Sequence, residues 1–119
     1  MDGFEGRRVE KPWGFELVWA QTERYAGKLL VIEAGKRLSL QYHQRKDESI
    51  LLLRGRMRLE LEDASGTMVV EELGPGARRH IPPGRRHRFE ALERVELVEV
   101  STPELDDVVR LADDYGRSS

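Results

Sequence analysis

Cysteine is missing from this sequence, which excludes disulfides and thiolate metal sites and leaves nitrogen and oxygen donors for any bound ion. No apolar run approaches the ~20 residues of a membrane-spanning helix. The first nine residues, Met1 to Val9, are charged where a secretory signal would be apolar. The expectation is a soluble cytoplasmic protein. Neither sign of charge dominates, with 20 basic residues against 22 acidic ones and a net charge of -2. Bulk attraction to nucleic acid or to a membrane surface is therefore not expected. A chain of 119 residues fits one domain, 1–119, with a single core and no space for a second catalytic module.

What the sequence has is short apolar alternation with frequent turns. Met57, Leu59 and Leu61 alternate with Arg58, Glu60 and Glu62, the period of a strand with one wet face. Similar stretches predict strands over 15–20, 29–33, 38–43, 48–54, 57–62, 67–73, 78–81, 87–90 and 95–101. Gly27, Gly35, Gly55, Asp63 to Gly66, Gly74-Pro75-Gly76 and Pro82-Pro83-Gly84 punctuate them. Short, evenly spaced strands favour a sandwich or barrel over a βαβ fold. The tail alone reads as helical. Ser101 or Thr102 is placed as N-cap and Pro103 at the first helical position, followed by Val108, Val109 and Leu111.

Two spaced motifs carry the chemistry. The first runs Gly35-x5-Gln41-x-His43-x4-Glu48-x6-Gly55, the second Gly76-x5-Pro82-x-Gly84-x2-His87. Residues 41 and 43 are two apart, so on a strand they share a face, which Glu48 and His87 can reach from neighbouring strands. Two imidazoles, a carboxylate and an amide oxygen suit one divalent ion, with Zn placed first and Mn, Fe, Co or Ni also compatible. Singly, each residue has a plainer reading as a hydrogen-bonded strand residue, and it is the combined spacing that argues for a site. His80 lies inside the second motif but off the ligand position.

These motifs resemble the signatures of the cupin superfamily, with Gln41 where the first ligand is usually His and Ala91 where the second motif usually ends in Asn. The resemblance implies a double-stranded β-helix, or jelly-roll barrel, here with a short C-terminal helix. Lys11-Pro-Trp-Gly-Phe-Glu16, Leu38-Ser-Leu-Gln-Tyr-His43 and the tail from Asp106 to Arg117 narrow it. They resemble the cupin domain of type II phosphomannose isomerases over roughly residues 9 to 117. In that family the segment from Gln41 commonly reads Gln-x-His-His-His-Arg-Ala-Glu-His. Gln41, His43 and Glu48 match, whereas Gln44, Arg45 and Ser49 stand where that pattern has other residues.

The resemblance implies metal-dependent interconversion of mannose 6-phosphate and fructose 6-phosphate. Such a reaction needs an electrophile at the substrate oxygens, which a metal supplies, and a base that moves a proton between adjacent carbons. Lys28, at the head of a strand entering the barrel, is the base considered, against a plainer reading as a strand-end lysine. Arg45, Lys46, Arg54, Arg86 and Arg88 are the phosphate-binding choices, since arginine matches phosphate in a bidentate way. The alternatives are a non-catalytic cupin that binds a sugar and an Fe(II) or Mn dioxygenase. Trp13, Phe15 and Trp19 are expected on the barrel exterior or in a dimer contact, and the apolar edge they form predicts a homodimer. The basic stretch from Arg78 to Arg88 lacks the aromatic residues of a nucleic-acid stacking platform.

Overall fold

Alternating Val, Ile and Leu make every regular element a strand, and no helix occurs among the described residues. The computed structural model describes residues 5–117. Its strands are β1 (Arg7–Lys11), β2 (Gly14–Gln21), β3 (Ala26–Ile32), β4 (Leu40–Tyr42), β5 (Glu48–Arg54), β6 (Met57–Glu62), β7 (Met68–Leu73), β8 (Arg78–Ile81), β9 (His87–Ala91), β10 (Val95–Ser101) and β11 (Val109–Ala112). They form a six-stranded sheet ordered β1-β2-β3-β10-β5-β8 and a five-stranded sheet ordered β11-β4-β9-β6-β7. Every pairing is antiparallel. The order is that of the jelly-roll barrel.

Strand β6 shows how sequence becomes layer. Met57 and Leu59 are fully buried, while Arg58 points the other way and bonds Glu90 at 2.7 Å, its partner across the β6/β9 ladder. Trp13, Leu30, Ile32, Ile50, Leu52 and Leu97 meet Met57, Leu59, Phe89 and Ala91 in the core between the sheets. Burial of each large side chain contributes roughly 1.5–3 kcal/mol before entropy is counted. The core fills one end of the barrel and leaves the other for polar side chains.

Two motif glycines fix the geometry of that polar end. Gly55 has φ +92, and a Cβ there would lie 2.1 Å from the Arg94 carbonyl oxygen, so the turn from β5 to β6 admits glycine only. Gly84 has φ +80 and its N–H donates to the carbonyl of His43 at 2.7 Å. That bond ties the two motifs together.

The structure differs from the expectations at the two ends of the chain. The tail is a series of turns followed by β11, and the expected helix is absent. Leu105, Asp107 and Val108 donate to the carbonyls of Pro103, Glu104 and Asp106, bonds too short in sequence span to propagate an α-helix. The chain then enters β11 at the β-branched Val109, because β4 offers an edge to pair with. Strand β1 was not expected, and it covers β2, so the edge anticipated over 13–19 is an inner strand. Trp13 is 2% exposed, in the core and not on the exterior. Trp19 does face outward, over Gly27. Among the described residues no helix is long and apolar enough to cross a membrane.

Candidate metal centre

Three of the expected ligands meet at strand ends on one side of the barrel. His43 follows β4, Glu48 opens β5 and His87 opens β9. Their ligand atoms all lie within 4.8 Å of one another, and the residues are 4%, 2% and 1% exposed. Glu48 Oε1 is 2.9 Å from His43 Nε2 and 3.5 Å from His87 Nε2.

The far nitrogen of each ring decides what the near one can do. His43 Nδ1 faces the carbonyl oxygen of Asp107, and His87 Nδ1 faces that of Arg85 at 3.0 Å. A carbonyl only accepts, so each Nδ1 carries the hydrogen and each Nε2 presents a lone pair. Both Nε2 atoms and both Glu48 oxygens are buried without a hydrogen-bond partner. Acceptors converging in a dry space cost about 1–3 kcal/mol each when unsatisfied, and a cation between them removes that cost. Such a donor set with its outer support could hold a metal ion.

Electrostatics reinforces it. Burial draws the His87 pKa down to about 4, so the ring is neutral at neutral pH, as a ligand must be. Burial works to raise the Glu48 carboxyl, but the adjacent Glu99 carboxyl and the Lys46 ammonium more than offset it, and Glu48 is held low. Glu99 is pushed up, by burial and then by the Glu48 charge. Lys46 is buried and 3.1 Å from Glu99. The two neighbouring carboxyls are thus pushed apart, Glu48 below the ordinary carboxylate range and Glu99 above it.

A cavity of about 80 Å³ opens on this centre, with His43, Gln41, Phe89 and Trp13 in its wall. Gln41 stands directly opposite His87 in the β4/β9 ladder, and its Oε1 accepts from the buried Ser39 hydroxyl at 2.7 Å. Lys28 is in the wall too, 3.2 Å from Glu16.

Of the five residues considered for phosphate, Lys46 alone lines this cavity. Arg88 alternates outward between His87 and Phe89, bonding the Leu38 carbonyl at 2.8 Å and Asp114 at 3.2 Å. Arg86 bonds Glu62, Arg54 reaches solvent beside Glu96, and Arg45 lies in the exposed loop before β5. His80 is exposed and bonds Asp47 at 2.6 Å. The sequence reading did not select Lys11, Glu16, Glu99, Arg110 or Arg117, all in the cavity wall. The mixed charge of 95–101 signalled Glu99 weakly, and the helical reading of the tail concealed Arg110.

Asp107 joins this tail to the centre. Its carboxylate accepts from the backbone N–H groups of Gln44, Arg45 and Lys46 at 3.1, 2.7 and 2.9 Å, holding the loop between the His43 and Glu48 ligands.

Residues 4–113 match the family model described as mannose-6-phosphate isomerase C-terminal. The chain belongs to that family. Mannose-1-phosphate guanylyltransferase ManC of Salmonella typhimurium is 33% identical over 116 residues, covering 93% of this chain and 23% of that protein. The xanthan biosynthesis protein XanB of Xanthomonas campestris pv. campestris is 30% identical, covering 94% and 24%. This member therefore spans about a quarter of the length of these curated relatives. Among solved structures, oxalate decarboxylase from Bacillus subtilis at pH 4.6 superposes with a TM-score of 0.78 at 20% identity, over 90% of this chain and 30% of that one. KdgF from Halomonas sp. does so at 0.72 and 22% identity, over 87% and 91%. The likeness to both is one of fold.

Proposed function

We propose that this protein is a divalent-metal-dependent sugar-phosphate isomerase of the mannose 6-phosphate and fructose 6-phosphate type, acting in the cytoplasm. The observation that carries the reading is the set of unsatisfied His43, Glu48 and His87 ligand atoms beside a cavity walled by five cations and two carboxylates. Gln41 is the fourth ligand in this reading, its amide oxygen oriented by Ser39. Zn, Mn, Fe, Co and Ni all accept such donors. The bound ion would polarise the carbonyl and hydroxyl oxygens of the sugar.

The protein's own groups would move the proton. Lys28 and Glu16 form an ion pair in the cavity wall. Glu16 would take the proton from C2 of the aldose and return it to C1, while the Lys28 ammonium would give a proton to the C1 oxygen and recover one from the C2 hydroxyl. A coupled assay over hexose and pentose phosphates with each metal in turn tests this, and absence of turnover in every combination would refute it.

A second reading is a non-catalytic sugar-binding cupin, favoured by Gln44, Arg45 and Ser49 at the rim, where the resembling isomerases carry other residues. Sugar binding without turnover selects it.

Assembly as a homodimer is proposed on a different surface from the expected edge. Leu17, Leu29, Val98 and Leu51 stand in register across β2, β3, β10 and β5. Around this outward row Leu17, Trp19, Leu53 and Val100 are between 37% and 48% exposed. Arg8 and Glu10 on β1 border it with both signs of charge, a rim that a second copy turned by a two-fold axis complements.

A further inference from the structure

The cavity wall is built from two unequal parts. On the barrel side Trp13, Leu30, Lys46, Phe89 and Glu99 are buried. The C-terminal arm supplies Leu105, Val108, Arg110 and Arg117, and no residue from 102 to 117 is buried. A segment with so little buried side chain belongs to the least stable part of a fold, where local opening costs least.

The bonds along the arm are distributed unevenly. At its root Thr102 donates its N–H to the Asp47 carbonyl and Asp47 donates its own to the Thr102 hydroxyl, both at 3.0 Å. Further on, the Asp107 carboxylate accepts from the backbone N–H groups of Gln44, Arg45 and Lys46. Beyond Asp107 the hold thins. Strand β11 pairs with β4 at Val109, Arg110 and Ala112, with the register broken between the last two. The far end is latched from outside the barrel. Asp114 accepts from Arg37 at 2.6 and 3.0 Å and from Arg88 at 3.2 Å, and the Tyr115 hydroxyl donates to the Arg37 carbonyl at 3.0 Å. The Arg37 and Asp114 side chains are 39% and 42% exposed, and an ion pair so wet adds little to stability.

Entry to the centre requires the wall to move. The three ligand residues are at most 4% exposed, and the space beside them is about 80 Å³. A cavity of about 150 Å³ is what holds a benzene ring in a protein interior, so a sugar-sized ligand does not fit this one as it stands.

We propose that the distal arm, from Val108 to Arg117, is a lid over the metal centre. It swings at Asp107, lifting β11 from β4 to admit the ion and a ligand, and recloses when Asp114 and Tyr115 latch onto Arg37. Because Asp107 stays bonded to the loop, its carbonyl keeps the His43 ring oriented while the lid is open. Closure excludes water from the centre. Admission of a sugar-sized ligand rests on the sugar-binding readings above, and gating of the ion rests on the metal centre. The opening of β11 rests on neither.

The chain has no cysteine, so one introduced pair gives a reversible lock without competing thiols. Leu40 and Ala112 are opposed in the β11/β4 ladder, a placement suited to a disulfide, and neither lines the cavity. In Leu40→Cys/Ala112→Cys, with the bond verified by mass, two rates are read: transfer of Co(II) from the protein to EDTA, and hydrogen exchange of the amides of 109–112. Oxidation should slow both by about tenfold or more while leaving Co(II) content unchanged, and a phosphine reductant should restore the parent rates. In the parent those amides should exchange at least about tenfold faster than those of β5 and β10. Asp114→Ala, which opens the latch without touching the cavity, should quicken both rates by roughly three- to tenfold, the effect of two weak ion pairs. A verified lock that leaves either rate unchanged, parent amides of 109–112 as protected as those of β5 and β10, or parent-like rates in Asp114→Ala overturns the lid. A parent that takes up no ion removes the metal centre, and the amides then decide the lid by themselves.

Discussion

Asp107 holds His43 from two sides. Its carbonyl oxygen receives the imidazole Nδ1 hydrogen, and its carboxylate fixes the three backbone N–H groups that follow the histidine. A residue 64 positions away in sequence thus sets which nitrogen of the ligand faces the centre. Asp107→Ala should lower metal affinity by roughly 10–100-fold, the usual cost of losing outer support, while the backbone carbonyl survives the substitution. Competition against a fluorescent chelator measures it. Unchanged affinity would mean that the loop holds its shape without the carboxylate.

The ligand assignment makes a stoichiometric prediction. Purified protein should carry about one divalent ion per chain, and His43→Ala or His87→Ala should remove most of it with the β-sheet circular dichroism retained. Elemental analysis reads the outcome, and full occupancy in both variants would move the site elsewhere.

Acid should loosen the tail before the barrel. Hydrogen bonds from Arg117, working against burial, draw the Asp113 carboxyl down to about 2, and Arg37 lowers Asp114. A carboxylate depressed in the folded state contributes stability that is present above its ordinary value near 3.8 and lost as pH falls through the folded value. Between about pH 4 and pH 2 the amides of 109–117 should therefore lose hydrogen-exchange protection before those of β5 and β10. Simultaneous loss in both regions would show that the tail pairs contribute little.

Light scattering tests the proposed sheet-face dimer. Val100→Glu should halve the mass observed at micromolar concentration, because a buried charge opposes association, while leaving the thermal midpoint of the monomer little changed. A parent chain that is already monomeric across ordinary salt would exclude the interface.

Much of the fold was readable because strand formation here is local. Spans 48–54, 57–62, 78–81 and 95–101 coincide with β5, β6, β8 and β10, each bounded by turn residues and patterned at period two. Charged β1 and the tail escaped because neither has that pattern. Arg7–Lys11 becomes a strand by pairing with β2, and Val109–Ala112 by pairing with β4. The site divided the same way. His43, Glu48 and His87 could be read from spacing within two motifs, whereas Glu99, Arg110 and Asp107 come from segments brought near only by topology.

The arm that runs from Pro103 to Arg117 has an evolutionary corollary. Arg110, which faces the cavity, lies three residues from Asp107, which steadies a ligand of the metal centre. An insertion or deletion between these two positions would move the cavity-lining Arg110 out of step with the residue that fixes the His43 ring, so in this chain the length of the arm is constrained from both ends.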